Sequence, residues 1–279
     1  MPEGDVVWRT ARQLDEALSG RALNRCDFRV PRFATTDLSG RAVTETVSRG
    51  KHLLTRVDNG VTVHTHLRMD GSWRIRPASD YLPRDHRIRL VLGNDERQAI
   101  GFLLGVVEVV PTRHEQRIVG HLGPDLLGPD WDAAEAVRRL KAEPARPVSE
   151  ALLDQRNLAG IGNLYRAEVL FLRGIDPWRP VGEISDLPAL VELARQLLDA
   201  NKDRIDQVTT GSLAPGAQTW VYGRGGRPCR RCGGRIRRVL AAGEGTTGRS
   251  ATERGTTGGS VSDGDRVTFW CQRCQPAAD

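Results

Sequence analysis

Long hydrophobic runs are missing from this sequence of 279 residues. No stretch approaches the roughly 18 consecutive apolar residues that a membrane-spanning helix needs, so we expect no membrane segment. Residues 1–5, Met-Pro-Glu-Gly-Asp, also lack the basic patch and apolar run of a secretory signal peptide. We therefore expect a cytoplasmic protein of two or three domains, because a domain takes roughly 100 to 200 residues.

Cysteine is scarce, and four of the five cysteines form two closely spaced pairs. Cys229 with Cys232, and Cys271 with Cys274, have the spacing that lets two thiolates bind one tetrahedral Zn²⁺. Disulfides are the alternative, which a reducing cytosol disfavours, and a catalytic zinc would usually keep an open ligand position. The pairs predict one structural zinc ion, and Cys26 is most simply a small buried hydrophobic residue.

Acidic residues are absent from residues 220–239, which carry seven arginines, although the net charge of the chain is only +6. Such a density of guanidinium groups attracts phosphates and releases their counterions. A solvated basic surface is the alternative for an arginine run by itself, so this segment indicates a binding site only in combination with other features.

Hydrophobic periodicity predicts a β-rich part followed by a helical part. Apolar residues fall on one helical face over residues 5–18, and strands are expected at 43–47, 61–67, 88–92 and 106–110. From Pro124 the period becomes 3.6 residues and predicts helices at 133–140, 149–153, 164–171 and 187–198. Residues 241–264 hold seven glycines and eight Ser/Thr, with no apolar residue larger than Val261, and predict a disordered insert.

A glycine-bearing turn at residues 157–163, Asn-Leu-Ala-Gly-Ile-Gly-Asn, joins two of the predicted helices. Glycine lets the backbone approach a phosphate closely, and the N–H groups of the following helix point toward it. Alone, this would be a common helix connection. Beside an arginine-rich zinc module, it makes nucleic-acid binding the leading hypothesis.

The N-terminus suggests an enzyme. If Met1 is removed, Pro2 presents a secondary amine that can attack an aldehyde-like carbon. Glu3 could donate or accept a proton beside it, and Lys51 could supply a cation from a turn. Each has an unremarkable alternative, because proline is frequent at position 2, Glu3 could be solvated and Lys51 could end a strand.

Five segments together resemble, in order, the formamidopyrimidine-DNA glycosylase / endonuclease VIII family of base-excision repair enzymes. They are residues 2–4 (Pro-Glu-Gly), 50–52 (Gly-Lys-His), 66–72 (His-Leu-Arg-Met-Asp-Gly-Ser), 157–165 (Asn-Leu-Ala-Gly-Ile-Gly-Asn-Leu-Tyr) and 266–275, which includes Arg266 and the second cysteine pair. The resemblance spans almost the whole chain, and the Pro-Glu-Gly start favours the endonuclease VIII branch.

The resemblance implies an α+β multidomain fold. A β-sandwich domain with a flanking helix would occupy residues 1–123, and a helical helix-two-turn-helix domain residues 124–219. A C-terminal β-hairpin zinc finger would occupy residues 220–279 and carry the insert at 241–264. The implied partner is damaged DNA, with one structural Zn²⁺ and no small-molecule cofactor. We expect a monomer associated with the nucleoid.

The resemblance also implies a role for single residues. Pro2 would be the nucleophile that forms a Schiff base, and Glu3 the general acid/base. Lys51 would contact the phosphates around the lesion, and Asn163 and Arg266 would hold the phosphates that flank the flipped nucleotide. The expected activity is a DNA glycosylase and AP lyase that removes oxidised bases, chiefly pyrimidines, and nicks the strand by β,δ-elimination.

Two segments of the sequence concern the gap that the flipped base would leave in the DNA. Met69 matches the wedge methionine of the family, although a methionine after a strand is as often part of a core. Residues 95–101 stand where purine-excising relatives carry a second wedge loop, and they lack its Arg-Arg-Phe-Gly stretch.

Two competing functions remain. A catalytically silent protein could recognise distorted DNA by its shape. A zinc-bearing RNA- or ribosome-associated protein would account for the C-terminal half, but it leaves residues 2–4 unexplained.

Overall fold

The computed structural model describes residues 2–240 and 267–277. Its helices are α1 (Gly4–Leu18), α2 (Gln116–Val119), α3 (Ala133–Lys141), α4 (Val148–Leu153), α5 (Asn163–Leu172) and α6 (Leu187–Asn201). Its strands are β1 (Arg25–Phe28), β2 (Val43–Arg49), β3 (His52–Val57), β4 (Val61–His66), β5 (Ser72–Pro77), β6 (Ile88–Gly93), β7 (Arg97–Phe102), β8 (Val106–Pro111), β9 (Arg237–Leu240) and β10 (Val267–Trp270). The predicted insert at 241–264 lies outside the described residues.

The chain folds as two units. The first contains Met1–Asp132, Gln155–Gly160 and Leu198–Ile205. The second contains Ala133–Asp154, Ile161–Leu197 and Asp206–Asp279. The three-domain division at residues 123 and 219 stays a prediction.

The first unit is a β-sandwich with a helix against it. One antiparallel sheet has the strand order β2-β3-β4-β8 and the other has the order β1-β6-β7-β5. The core contains the apolar face of α1 together with inward side chains of both sheets, among them Leu14, Leu53, Val63, Leu92 and Ala99. The predicted helix at 5–18 and the four predicted strands are confirmed.

Most of residues 95–101, which stand where purine-excising relatives carry a second wedge loop, lie in a strand and do not form a loop. Arg97–Phe102 is strand β7, which pairs with β6 on one side and β5 on the other. Ala99 and Ile100 are both fully buried, so both faces of the strand are covered and the alternation that marks a half-exposed strand is missing. The loop that follows is Leu103–Gly105, between β7 and β8.

The second unit contains α3, α4, α5 and most of α6, followed by the antiparallel hairpin of β9 and β10. Helix α5 is its most buried element, and Tyr165 and Phe171 are fully enclosed. The four helices predicted from the 3.6-residue period are confirmed. Among the described residues, no helix combines the length and the apolar character required to cross a membrane.

Candidate active site and metal centre

The first two residues of the described chain lead directly into α1. Pro2 is half-buried, and Glu3 occupies the N-cap position with a side chain that is 0% exposed. No side-chain hydrogen bond from Glu3 caps the helix. A carboxylate at this position is favoured by the positive end of the helix dipole. The predicted nucleophile and the predicted acid/base thus adjoin one helix terminus.

Gly4 joins this terminus to the glycine-bearing turn predicted at 157–163. Its N–H donates to the carbonyl oxygen of Gly160 over 2.8 Å. Gly160 has φ +104, a conformation that side chains rarely adopt, and its N–H donates to Oε1 of Gln155 at 3.0 Å. The turn is therefore shaped to receive the start of α1 within the first unit.

Lys51 lies in the tight turn between β2 and β3 and is half-buried. Gly50, just before it, has φ +57, and its N–H donates to Oδ2 of Asp125 at 2.6 Å. Asp125 is 3% exposed, and burial raises the pKa of its carboxyl, while the N–H groups of Gly50 and Leu127 act in the opposite direction. Asp125 thus fixes the turn that carries Lys51, a contact that sequence reasoning missed.

Met69 lies on the loop between β4 and β5 and is 45% exposed, so it does not belong to the core. The preceding Arg68 has φ +55. On the neighbouring β7–β8 loop, Leu103 has φ +47 and is 39% exposed. A Cβ added at Gly105 would overlap the side chain of Arg68, which shows how closely these two loops pack. They present two exposed apolar side chains on constrained turns.

Asn163 is the first residue of α5, in the second unit. Its Oδ1 is buried and has no hydrogen-bond partner within the part of the chain that the structure describes. Arg266 lies outside the described residues.

Known proteins are similar to this one over almost the whole chain. The model of the formamidopyrimidine-DNA glycosylase N-terminal domain matches residues 1–102, and that of the formamidopyrimidine-DNA glycosylase H2TH domain matches residues 122–207. A relative from Streptomyces coelicolor named "Probable endonuclease 8 2" is 52% identical over 99% of this chain and 94% of its own length. This chain belongs to the formamidopyrimidine-DNA glycosylase family.

Two further similarities agree with the family assignment. A protein of Mycolicibacterium smegmatis named "DNA-(apurinic or apyrimidinic site) lyase Nei2" is 46% identical, with full coverage of both chains. The crystal structure of formamidopyrimidine-DNA glycosylase from Lactococcus lactis superposes with a TM-score of 0.76 at 23% identity, covering 99% of this chain and 100% of that one. At this identity, the superposition establishes the glycosylase fold alone.

The two cysteine pairs converge beside the β9–β10 hairpin. All four Sγ atoms lie within 4.8 Å of one another, with Cys229 and Cys274 at 3.9 Å and Cys232 and Cys271 at 3.5 Å. A tetrahedral site with Zn–S bonds of about 2.3 Å requires sulfur atoms about 3.8 Å apart. Four thiolates with this spacing fit a zinc ion, so the structure confirms the predicted ligand cluster. Cys26 lies apart from it, half-buried in β1.

The arginine-rich segment has two kinds of arginine. Three guanidinium groups donate to main-chain carbonyl oxygens and serve the fold: Arg224 to Trp220 and Pro228, Arg230 to Thr219 and Gly216, and Arg231 to Phe171. The other four are exposed, namely Arg227, Arg235, Arg237 and Arg238, and so are Arg230 and Arg231. Most of the predicted basic surface therefore faces solvent, and only Arg224 is buried.

Sequence reasoning missed two further polar clusters. Glu168 of α5 is fully buried and accepts hydrogen bonds from the main-chain N–H groups of Trp220, Val221 and Tyr222. In the first unit, the imidazoles of His52 and His64 are hydrogen-bonded, and His64 is bonded to Glu108. One feature of the sequence could have indicated the histidine cluster: His52, His64 and His66 have the spacing of residues in a β-hairpin.

Proposed function

We propose that this protein is a bifunctional DNA glycosylase and AP lyase that removes oxidised bases, chiefly pyrimidines, during base-excision repair. The observation that carries the proposal is the position of Pro2 and Glu3 at the start of α1, which Gly4 holds against Gly160. Family membership supports the same chemistry, since one relative is named a DNA-(apurinic or apyrimidinic site) lyase and another an endonuclease 8.

Pro2 is the nucleophile in this proposal. After removal of Met1, the lone pair of its secondary amine attacks C1′ of the damaged nucleotide. The bond from C1′ to the base breaks with its electron pair on the base, which takes up the proton that the amine gives up. Glu3 protonates the sugar ring oxygen as its bond to C1′ opens, which leaves an iminium ion, the cationic Schiff base of a secondary amine, between Pro2 and C1′. Proton abstraction at C2′ then expels the 3′ phosphate, and the second elimination expels the 5′ phosphate, which completes the β,δ-sequence.

DNA must be distorted for this attack, because a stacked base hides its C1′ from the amine. Lys51, Asn163 and Arg266 hold the phosphates around the extruded nucleotide, and Met69 fills the vacated space. Lys51 is positioned for this by the Gly50–Asp125 hydrogen bond, and Asn163 by its place at the start of α5, where helix N–H groups favour an anion. Leu103, which is also exposed, is the second candidate for filling the space that the extruded nucleotide leaves.

The four cysteines hold one structural Zn²⁺ in this proposal. A bound zinc would cross-link the two ends of the β9–β10 hairpin, and four protein thiolates would leave no position for substrate. We also propose that the protein acts as a monomer on the nucleoid, without a small-molecule cofactor.

Borohydride trapping tests the proposal. The purified protein is mixed with duplexes that contain either an abasic site or an oxidised pyrimidine, and the Schiff base is reduced to a stable adduct. We expect adducts on both duplexes, and their loss or strong reduction with Pro2→Gly. Peptide mapping locates the adduct without ambiguity, because the chain contains only three lysines, Lys51, Lys141 and Lys202, as competing amines.

The outcomes separate the competing functions. Trapping on the abasic duplex alone would retain the lyase and contradict the glycosylase step. Tight DNA binding without any trapping would support the catalytically silent DNA-binding protein. Mass spectrometry of the intact chain provides the control, since retained Met1 would block the amine of Pro2.

A further inference from the structure

A chain of hydrogen bonds crosses three neighbouring strands of the first unit. Nδ1 of His52 on β3 lies 2.9 Å from Nε2 of His64 on β4, and Nδ1 of His64 lies 3.0 Å from Oε2 of Glu108 on β8. His64 is 3% exposed, whereas the Glu108 side chain on the edge strand is 37% exposed. The chain therefore connects the sheet edge with the buried side of the Lys51 turn.

The chemistry of the acceptor determines where the protons lie. An ionised carboxylate only accepts, so Nδ1 of His64 carries the hydrogen that it donates to Glu108. A neutral His64 then has a bare Nε2, which accepts from Nδ1 of His52. The Nε2 of His52 is consequently bare as well. Glu108 thus specifies the tautomers of both imidazoles.

His52 links this chain to the loop that carries Met69. Its ring packs edge-on against that of His66, with centroids 5.0 Å apart. Nδ1 of His66 accepts the N–H of Arg68 at 3.0 Å, and its carbonyl oxygen accepts the N–H of Gly105 at 3.0 Å. His66 is therefore the residue from which both exposed loops are held.

We propose that Glu108, His64 and His52 are positioning residues: Glu108 and His64 fix His52 in its Nδ1–H form, and His52 thereby orients His66 and the Arg68–Met69 turn. This rests on the proposed function, in which Met69 enters DNA. In this proposal, the buried hydrogen-bond chain keeps the exposed side chain of Met69 in one conformation before DNA binds. Less conformational entropy is then lost when DNA is bound.

The neighbours of His52 are basic and oppose a positive charge on it. His64 and His66 face it from β4, Arg68 from the following loop and His121 from the segment after α2. The carboxylate of Glu108 is bonded to His64 and reaches His52 only through it. Burial, followed by these neighbours, lowers the pKa of His52 to about 3. Burial also lowers the pKa of His64, against the opposing effect of Glu108. Both lowered pKa values are consistent with a neutral His52 and a neutral His64 at physiological pH.

Nuclear magnetic resonance tests the tautomers without reference to activity. In the full chain labelled with ¹⁵N-histidine, long-range ¹H–¹⁵N spectra from pH 8 to pH 5 should show bare Nε2 atoms for His52 and His64, and a bare Nδ1 for His66. The signals of His86, whose side chain is exposed, serve for comparison with the buried imidazoles. An Nε2–H form of His52 or His64, or protonation of His52 between pH 8 and pH 5, would overturn the proposal.

Variants of Glu108 test the positioning role, and His86→Gln is the matched control. Glu108→Ala should reduce the preference for an abasic-analogue duplex over undamaged duplex about tenfold, as expected for a lost hydrogen bond to a charged group. Glu108→Gln should retain most of the preference at pH 8, because its amide oxygen still accepts from His64. Equal preference in the alanine variant and the wild type would refute the role.

The two proposals fail separately. Absence of a borohydride adduct in the wild type would contradict the proposed function and leave the tautomer measurement valid. Adduct formation combined with the wrong tautomers would contradict only the positioning role of the hydrogen-bond chain. If Glu108→Ala does not fold, the tautomers of the wild type and of Glu108→Gln still decide the question.

Discussion

The N–H of Gly4 and the carbonyl oxygen of Gly160 are joined by a 2.8 Å hydrogen bond. The two glycines approach so closely that a Cβ on Gly4 would lie 3.0 Å from Cα of Gly160 and 3.1 Å from Cδ2 of Leu198. The first residue of α1 therefore requires glycine because of a neighbouring backbone. Its own helical conformation would accept a side chain.

Gly4→Ala should displace Pro2 and Glu3 by pushing α1 away from the turn. We expect a stability loss of about 1–3 kcal/mol from the overpacking. The rate of borohydride adduct formation should fall at least about tenfold, because small displacements of reacting groups are costly. Gly20→Asn is the control, since Gly20 has φ +75, which asparagine tolerates, and nothing within 4 Å of an added Cβ. Trapping at the wild-type rate would contradict the prediction.

His52 should make the protein less stable in acid. Above pH 6.5 the imidazole is neutral in both the folded and the unfolded chain. Below it, the unfolded chain binds a proton that the folded chain, with a pKa of about 3, does not bind. The free energy of unfolding should therefore fall by about 2 kcal/mol between pH 7 and pH 5.

Urea unfolding at pH 7 and at pH 5 measures this change in the free energy of unfolding. His52→Gln should remove most of the difference, whereas His86→Gln should preserve it. The same pH dependence in all three proteins would show that other groups are responsible.

Cys271→Ser should abolish zinc binding and weaken DNA affinity, because the fold of a small metal module depends on its metal. Metal analysis of the purified protein should show one zinc per chain in the wild type and almost none in the variant. Cys26→Ser is the matched control, as Cys26 lies outside the four-cysteine cluster. Unchanged zinc content in Cys271→Ser would refute the four-cysteine site.

Glu168→Ala should destabilise the second unit by at least about 3 kcal/mol. The carboxylate accepts three main-chain N–H groups, of Trp220, Val221 and Tyr222, and the hydroxyl of Thr209. Each buried donor left without a partner costs about 1–3 kcal/mol. Denaturant unfolding measures the loss, with Glu168→Gln as a partial rescue and exposed Glu150→Ala as the control. A loss as small as that of Glu150→Ala would argue against this role.

Arg266→Ala should weaken binding to damaged and undamaged duplex alike, since the residue is assigned to phosphate and not to a base. The dependence of affinity on salt should become shallower by about one phosphate contact. Binding measured at several salt concentrations gives the slope, with Arg138→Ala on α3 as the control. An unaltered slope in Arg266→Ala would remove this residue from the contact list.

Local patterns were sufficient for much of the fold. The apolar face of α1 and the 3.6-residue period of α3, α5 and α6 depend on residues a few positions apart, and the structure contains these helices. Strand β7 was missed because its burial on both faces removes the alternation on which strand prediction depends. Pro2 and Glu3 were candidates by their own chemistry, the family resemblance made their roles specific and supplied that of Asn163, and all three roles stay proposals.

The sequence by itself determined the family, the β-rich part followed by a helical part, and the four cysteines that can share one metal ion, because each is encoded by neighbouring residues or by motifs in order. Only the tertiary structure decided that Gly4 meets Gly160, that Asp125 holds the Lys51 turn, and that Glu108 reaches His52 through His64. These contacts join residues far apart in the chain. Their geometry follows from sheet register and from packing, which no local pattern specifies.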